Sequence, residues 1–207
     1  MSVEAVRLSL VCRARRLEHL TVLWNSLEGL VAIVSGLIAG SIALVGFGFD
    51  SVIEVSSGVI LLWRLHEDKD PHRREKVEAR ALRLVGISFL VLAAYVAFDA
   101  IHSLATRQPP ETSYVGIGLA ALSLIVMPVL ARAKRRVAAR IRSQALHADS
   151  RQTDICAYLS AILLFGLLLN AIFGWWWSDP VAGLAMSPII AKEGWEALQG
   201  ETCCDDE

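Results

Sequence analysis

The chain has 207 residues, of which 55% are hydrophobic and 20% are charged, and its mean hydropathy is +0.50. This composition is too apolar for an ordinary soluble domain, and the charges are clustered rather than spread. Apolar runs of about 20 residues that alternate with charged clusters are typical of a polytopic membrane protein. The net charge of −1 gives no indication of nucleic-acid binding. The four cysteines show neither a disulfide framework nor the CxxC spacing of a zinc site.

The hydropathy pattern predicts an all-α fold with six transmembrane helices. A basic, amphipathic segment precedes them, and a short acidic tail follows them. We therefore expect a cytoplasmic N-terminal segment at 1–18, a transmembrane domain at 19–198 and a cytoplasmic tail at 199–207. Within the domain, we place the spans at roughly 19–38, 42–63, 84–104, 114–131, 145–173 and 181–198, from the length needed to cross a bilayer.

The distribution of basic residues predicts the orientation of these spans. Lys and Arg crowd the N-terminus and the expected loops at 64–83 and 132–142, whereas only Arg107 falls on the opposite side. The positive-inside rule then places both termini in the cytoplasm. We interpret these clusters as signals for topology. The uncharged AGS stretch at 39–41 is expected to break the first span with a very short loop. Pro128 is expected to kink or end the fourth span, and the tryptophan-rich stretch before the sixth span is expected to form a turn at the membrane interface.

Two carboxylates in the second span, Asp50 and Glu54, are the first candidates for a functional site. Their spacing of four puts both on one face of a helix, about 5–6 Å apart at Cβ. Buried carboxylates are costly in a membrane unless something positive lies between them. The pair therefore predicts a site for a proton or a divalent cation.

The first turns of the fifth span are unusually polar for a membrane helix. Gln152 and Cys156 are also four residues apart, and Asp149 lies three residues before Gln152. If the two helices face each other, their two pairs place four donors around one ion, which is the number in a tetrahedral zinc site. Carboxylates and a thiolate suit a borderline-soft divalent ion, although a lone Cys156 is more often a small buried hydrophobe.

Other polar residues in the spans allow more than one interpretation. Glu28 and Asn25 in the first span either form an interhelical hydrogen bond or take part in metal or proton binding. Asp154 either lies at the water interface or pairs with Arg151. Two further polar residues near the outer end of the third span, Asp99 and His102, are expected to face water.

Two of the spans carry motifs of a known family. The second span, SIALVGFGFDSVIEVSSG, resembles the second transmembrane helix of the cation diffusion facilitator superfamily, which carries an acidic DxxxD pair there. The fifth span reads ADSRQTDIC from Ala148, where the family shows ADxxHxxxD. On this resemblance, Asp149 matches the leading Asp, Gln152 the His and Cys156 the final Asp.

The resemblance implies a metal exporter. Members of this superfamily export divalent metals, commonly zinc, in exchange for protons, and usually work as homodimers. The family's cytoplasmic C-terminal domain is expected to be absent, which makes this a short form. The implied site is Asp50, Glu54, Gln152 and Cys156, with Glu28, Asp149 and Asp154 as accessory candidates.

The sequence therefore predicts a Zn²⁺ efflux transporter of the plasma (cell inner) membrane, a homodimer with divalent cations and protons as its partners. No cofactor is expected beyond the transported cation. An enzyme is not expected, because the chain has no HExxH motif and no Ser/His pair with an orienting partner. The main alternative is a non-transporting membrane protein of the same fold that binds metal or modulates a partner. A channel would conduct the ion without proton coupling.

Overall fold

The computed structural model describes residues 3–64, 71–107, 109–141 and 144–199, and in these ranges it is helical with short connections. The predicted all-α fold with six helices is confirmed. The helices are α1 (Val3–Ala39), α2 (Ile42–Arg64), α3 (Pro71–Thr106), α4 (Tyr114–Ile141), α5 (Gln144–Phe173) and α6 (Ser178–Gln199).

The first five helices are long and apolar enough to cross a membrane. The remaining helix, α6, does not meet this criterion, because Lys192, Glu193 and Glu196 fall in its last two turns. Large apolar side chains cover the outer surface of the bundle. On α1, for example, Leu30 is 63% exposed and Leu37 is 67% exposed. An apolar outer surface of this kind suits contact with lipid rather than with water.

The centre of the bundle is α2, which packs against α1, α3, α5 and α6. The buried apolar core surrounds it and includes Leu44 and Phe47 of α2 itself. Other close neighbours are α3 with α6 and α4 with α5. A polar side chain on α2 therefore faces protein on most sides, and any ligand that it binds lies inside the bundle.

The helix boundaries correct two of the sequence predictions. Helix α4 does not end at Pro128 but continues to Ile141, so most of the expected loop at 132–142 is helical. Helix α3 begins at Pro71, inside the expected loop at 64–83. Residues 65–70, near the start of that expected loop, lie outside the described residues. The basic N-terminal segment, from residue 3 onward, is continuous with α1.

The predicted turns agree with the structure. Gly40 has φ = 66° between α1 and α2, and Gly174 has φ = 65° between α5 and α6. This left-handed conformation costs glycine nothing and strains other residues, so both positions suit sharp helix ends.

The N-terminus of α2 is fixed by a carboxylate from α6. Asp179 accepts a hydrogen bond from the Ser41 hydroxyl and a second from the Ile42 backbone N–H at 3.0 Å. The Ser41 hydroxyl in turn accepts a hydrogen bond from the Leu44 N–H at 3.1 Å. These contacts satisfy N–H groups that a helix start leaves unpaired, and the negative charge lies at the favourable end of the helix dipole. They hold α2 at a defined position against α6.

Candidate functional site

The acidic pair of α2 is buried in the bundle. Asp50 is 5% exposed and Glu54 is 6% exposed. Gly48 precedes them at a point where α1 and α2 nearly touch, since a Cβ atom there would lie 2.9 Å from the backbone nitrogen of Ile33. This close approach brings the polar face of α1 up to the acidic pair.

That face of α1 carries a row of buried polar residues. The Asn25 side-chain amide donates a hydrogen bond to Oε2 of Glu54 at 2.7 Å. The Ser51 hydroxyl donates to Oε2 of Glu28 at 3.1 Å. The interhelical hydrogen bonding considered for Asn25 and Glu28 is therefore present, and it brings a third carboxylate to the α1–α2 interface.

Helix α5 adds a thiol and an amide to the same region. Cys156 is 1% exposed, its Sγ lies 3.9 Å from Oε2 of Glu28, and the carboxylate of Glu54 acts on it electrostatically. Oε1 of Gln152 accepts a hydrogen bond from the Ser57 hydroxyl at 3.1 Å. Both residues of the predicted α5 pair therefore face α2, with Gln152 nearer the C-terminal end of that helix.

The buried acids between α1 and α2 lack positive partners in the described part of the chain. Within the described ranges, neither Asp50, Glu54 nor Glu28 forms an ion pair with a basic side chain, and Asp50 makes no hydrogen bond. Four buried polar atoms here also lack a hydrogen bond of good geometry, although the Trp24 and Ser123 side chains face the Glu28 carboxylate: Trp24 Nε1, Asn25 Oδ1, Glu28 Oε1 and Ser123 Oγ. Native proteins rarely leave buried polar groups unsatisfied, so the region suits an ion, a proton or water.

The ligands of a metal ion are not yet assembled in this conformation. Among the residues that the structure describes, no group of three or more His, Cys, Asp or Glu side chains lies close enough to hold a metal ion. The four predicted ligands lie on or beside one face of α2, but they do not surround a common point: Asp50, Glu54, Gln152 and Cys156. Metal ligation by these four residues remains a prediction.

Two accessory candidates are paired with basic side chains. Asp149 binds the ammonium of Lys134, with 2.5 Å between Oδ2 and Nζ. Asp154 pairs with Arg135 of α4, and not with Arg151 as the sequence suggested.

Sequence reasoning missed Glu18 and Lys134, which form a second buried charged cluster with Asp149. A signal for Glu18 was present, because Glu18, Thr21, Asn25 and Glu28 recur at spacings of three and four. No comparable signal marked Lys134, which lies in a run of basic residues. In the third helix, His102 is exposed and Asp99 is only partly buried, which agrees with the prediction that they face water.

A comparison with sequence models of protein families shows the family to which this chain is related. The sequence model of the cation efflux transmembrane domain matches residues 19–199. This chain belongs to the cation efflux family. The resemblance seen in the second and fifth spans is thereby confirmed.

Curated relatives of the cation efflux family are distant in sequence. An uncharacterized transporter of Methanocaldococcus jannaschii is 26% identical over 179 residues, which cover 84% of this chain and 63% of the relative. A cadmium, cobalt and zinc/H(+)-K(+) antiporter of Bacillus velezensis is 25% identical, with coverage of 82% and 56%. A manganese efflux system protein of Bacillus subtilis is 22% identical, with coverage of 82% and 60%. The chain thus spans between about half and two thirds of the length of these relatives.

Proposed function

We propose that this protein exports divalent metal cations, with Zn²⁺ favoured, across the plasma membrane in exchange for protons. Membership of the cation efflux family supports transport of a metal cation. The names of two relatives, a cadmium, cobalt and zinc/H(+)-K(+) antiporter and a manganese efflux system protein, support a divalent substrate.

The observation that carries this proposal is the group of buried acids between α1 and α2. Asp50, Glu54 and Glu28 lie inside the bundle without an ion pair among the described residues, and the Cys156 thiol lies beside them. Unpaired carboxylates are expensive in a membrane interior, and they usually mark an ion or proton pathway. A divalent cation would neutralise two of these charges at once.

The donor types explain the preference for Zn²⁺. A thiolate together with carboxylates suits a borderline-soft ion better than Mg²⁺ or Ca²⁺, which prefer oxygen donors alone. We propose Asp50, Glu54 and Cys156 as ligands, with Gln152 or Glu28 as the fourth. These ligands must lose their protons to bind metal, so metal binding releases protons and proton binding releases metal. That linkage is the chemical basis of exchange.

Transport requires the helices to move. Because the ligands are not assembled around one point in this conformation, we propose that small movements of α1 and α5 relative to α2 close the site around the ion. Rocking of helix groups around a site near the middle of the membrane is a common route to alternating access. We also propose that the protein works as a homodimer.

Metal uptake by proteoliposomes with an imposed pH gradient tests the proposal. Zn²⁺, Cd²⁺, Mn²⁺ and Fe²⁺ are compared for the native protein, Asp50→Asn and the matched control Asp99→Asn. We expect Asp50→Asn to reduce uptake by at least about tenfold, since it removes a charge that binds the ion. The control makes the same chemical change at a partly exposed position and is expected to transport normally.

The second candidate function is a membrane protein that binds metal or modulates a partner without transporting. The departure of Gln152 and Cys156 from the His and Asp of the family motif favours this alternative. It predicts no uptake of any of the four ions by folded native protein. Equal uptake by the native protein and Asp50→Asn would also contradict the proposed transport site.

A further inference from the structure

A lysine lies fully buried between two acidic residues at the junction of α1, α4 and α5. Lys134 and Glu18 both have 0% exposed side chains, and the Asp149 side chain is 12% exposed. The Lys134 ammonium lies 3.1 Å from Oε2 of Glu18 and 2.5 Å from Oδ2 of Asp149. It also donates a hydrogen bond to the Thr153 hydroxyl at 3.4 Å. We call Glu18, Lys134, Asp149 and Thr153 the Lys134 cluster.

The charges in the Lys134 cluster do not balance. Two carboxylates face one ammonium, which leaves one negative charge in excess if all three groups are ionised. Removing ions from water costs several kcal/mol for each ion, so a buried set of this kind is poor evidence of a role in stability alone. Apolar side chains of similar size would hold three helices together at a lower cost.

The geometry around the ammonium resembles that around a bound cation. Its neighbours are oxygen atoms from Glu18, Asp149 and Thr153, contributed by two different helices. The Glu18 carboxylate is completely buried, with Oε2 against the Lys134 ammonium and Oε1 against Gly58 of α2. Among the described residues, the positive charge that this carboxylate faces is that of Lys134.

We propose that Glu18, Asp149 and Thr153 form a second cation-binding site, in which the Lys134 ammonium takes the place of a metal ion. The tethered ammonium keeps this site closed to free cations. It also holds Asp149, an accessory candidate for the metal site, in an ion pair with α4. Because all of its donors are oxygen atoms, the site suits a hard divalent ion, for which Mn²⁺ is a convenient paramagnetic probe.

The second site itself is independent of the proposed transport function, whereas the role proposed for its lysine rests on that function. The Lys134 cluster lies close enough to α2 for Lys134 and Glu54 to interact electrostatically. A second metal ion bound in the cluster would repel an ion at Asp50 and Glu54. The lysine therefore ensures that divalent cations bind at α2 and not beside it.

Binding of Mn²⁺ to purified protein, measured by electron paramagnetic resonance, tests the inference. Replacement of the ammonium by a neutral amide in Lys134→Gln leaves the two carboxylates and the hydroxyl available. We expect this variant to bind one more Mn²⁺ ion per protomer than the native protein. The double variant Glu18→Gln/Lys134→Gln keeps the net charge of the native cluster but has only one carboxylate, and we expect it to gain no site.

Two controls separate this effect from a general change in charge. In Lys134→Arg the cation is kept, so no additional Mn²⁺ should bind. The variant Arg135→Gln removes a neighbouring positive charge, at a partly exposed ion pair with Asp154, and should also gain no site. Extra Mn²⁺ bound equally by Arg135→Gln and Lys134→Gln would overturn the inference.

The inference remains testable if Lys134→Gln folds poorly. Two unpaired carboxylates destabilise the variant, so a cation that enters their site should restore its folding. We expect Mn²⁺ to raise the thermal stability of Lys134→Gln more than that of Glu18→Gln/Lys134→Gln. Failure of Mn²⁺ either to bind or to stabilise Lys134→Gln would contradict the second site. The proposed transport site at Asp50 would be unaffected, since it is tested separately with Zn²⁺.

Discussion

Glu28 is the acidic residue of α1 that lies nearest to the α5 thiol, with its Oε2 atom 3.9 Å from Sγ of Cys156. The family motif assigns a histidine to the position of Gln152, and an amide oxygen is a weak, uncharged substitute for that ligand. Gln152 is also engaged by Ser57, whereas Glu28 is an acid and lies beside the α5 thiol. At the scale of single residues, Glu28 is therefore the better candidate for the proposed fourth ligand.

This comparison gives a prediction that separates the two candidates for the fourth ligand. We expect Glu28→Gln to weaken Zn²⁺ binding by about tenfold or more, because it removes a negative charge near the ion, at about 1.4 kcal/mol for each factor of ten. The change in Gln152→Ala should be several-fold smaller. Isothermal titration of purified protein with Zn²⁺ measures both. If Gln152→Ala proves to be the more damaging variant, Glu28 is not the fourth ligand.

At the scale of elements, the position of α2 depends on its capped N-terminus. Asp179 of α6 accepts hydrogen bonds from the Ser41 hydroxyl and the Ile42 N–H. Ser41 directly precedes α2, and Ile42 is the first residue of that helix, about two turns before Asp50. The cap therefore fixes α2, with its acidic pair, against α6.

Loss of this cap should destabilise the protein. We expect Asp179→Ala to lower the free energy of unfolding by about 0.5–2 kcal/mol, which is the usual range when a capping side chain is truncated to alanine. Thermal unfolding in detergent, followed by circular dichroism, measures the effect. The double variant with Ser41→Ala should lose less than the sum of the single losses, since the two side chains act through one contact. Strict additivity of the two losses would show that Ser41 and Asp179 act independently.

The sequence predicted the helices well where the length of an apolar run determines the transmembrane segment. The turn at Gly40 and the turn before α6 followed from residues with strong local preferences. The basic stretch at 132–141 was not recognised as part of α4, because charge was interpreted as an end of the span. A transmembrane helix can extend beyond the bilayer, so hydropathy sets the limits of the apolar segment and not those of the helix.

The candidate site was predicted only in part. Spacing placed Asp50 with Glu54 on one face of α2, and the structure buries both of them. The packing partner of a face cannot be derived from helical periodicity, because it depends on how the helices are arranged in three dimensions. The approach of Asn25 to Glu54, and the capture of Asp149 by Lys134, were therefore found only in the structure.

At the scale of the whole molecule, two buried acidic regions of the described bundle differ in whether a basic side chain pairs with them. The acids of α2 and Glu28 have no ion-pair partner among the described residues, whereas Glu18 and Asp149 share the ammonium of Lys134. On the proposed function, the first region is available to a transported ion and the second is already neutralised in part. On the same proposal, this arrangement would confine a transported cation to the acids of α2.

The central claim is that metal and protons exchange at the acids of α2. It is tested most directly by recording Zn²⁺ and pH together inside proteoliposomes that contain the native protein. When Zn²⁺ is added outside without an imposed pH gradient, we expect Zn²⁺ entry to be accompanied by proton exit, with both lost in Asp50→Asn. Zn²⁺ entry without proton movement would identify a channel, and no Zn²⁺ entry by folded protein would contradict transport.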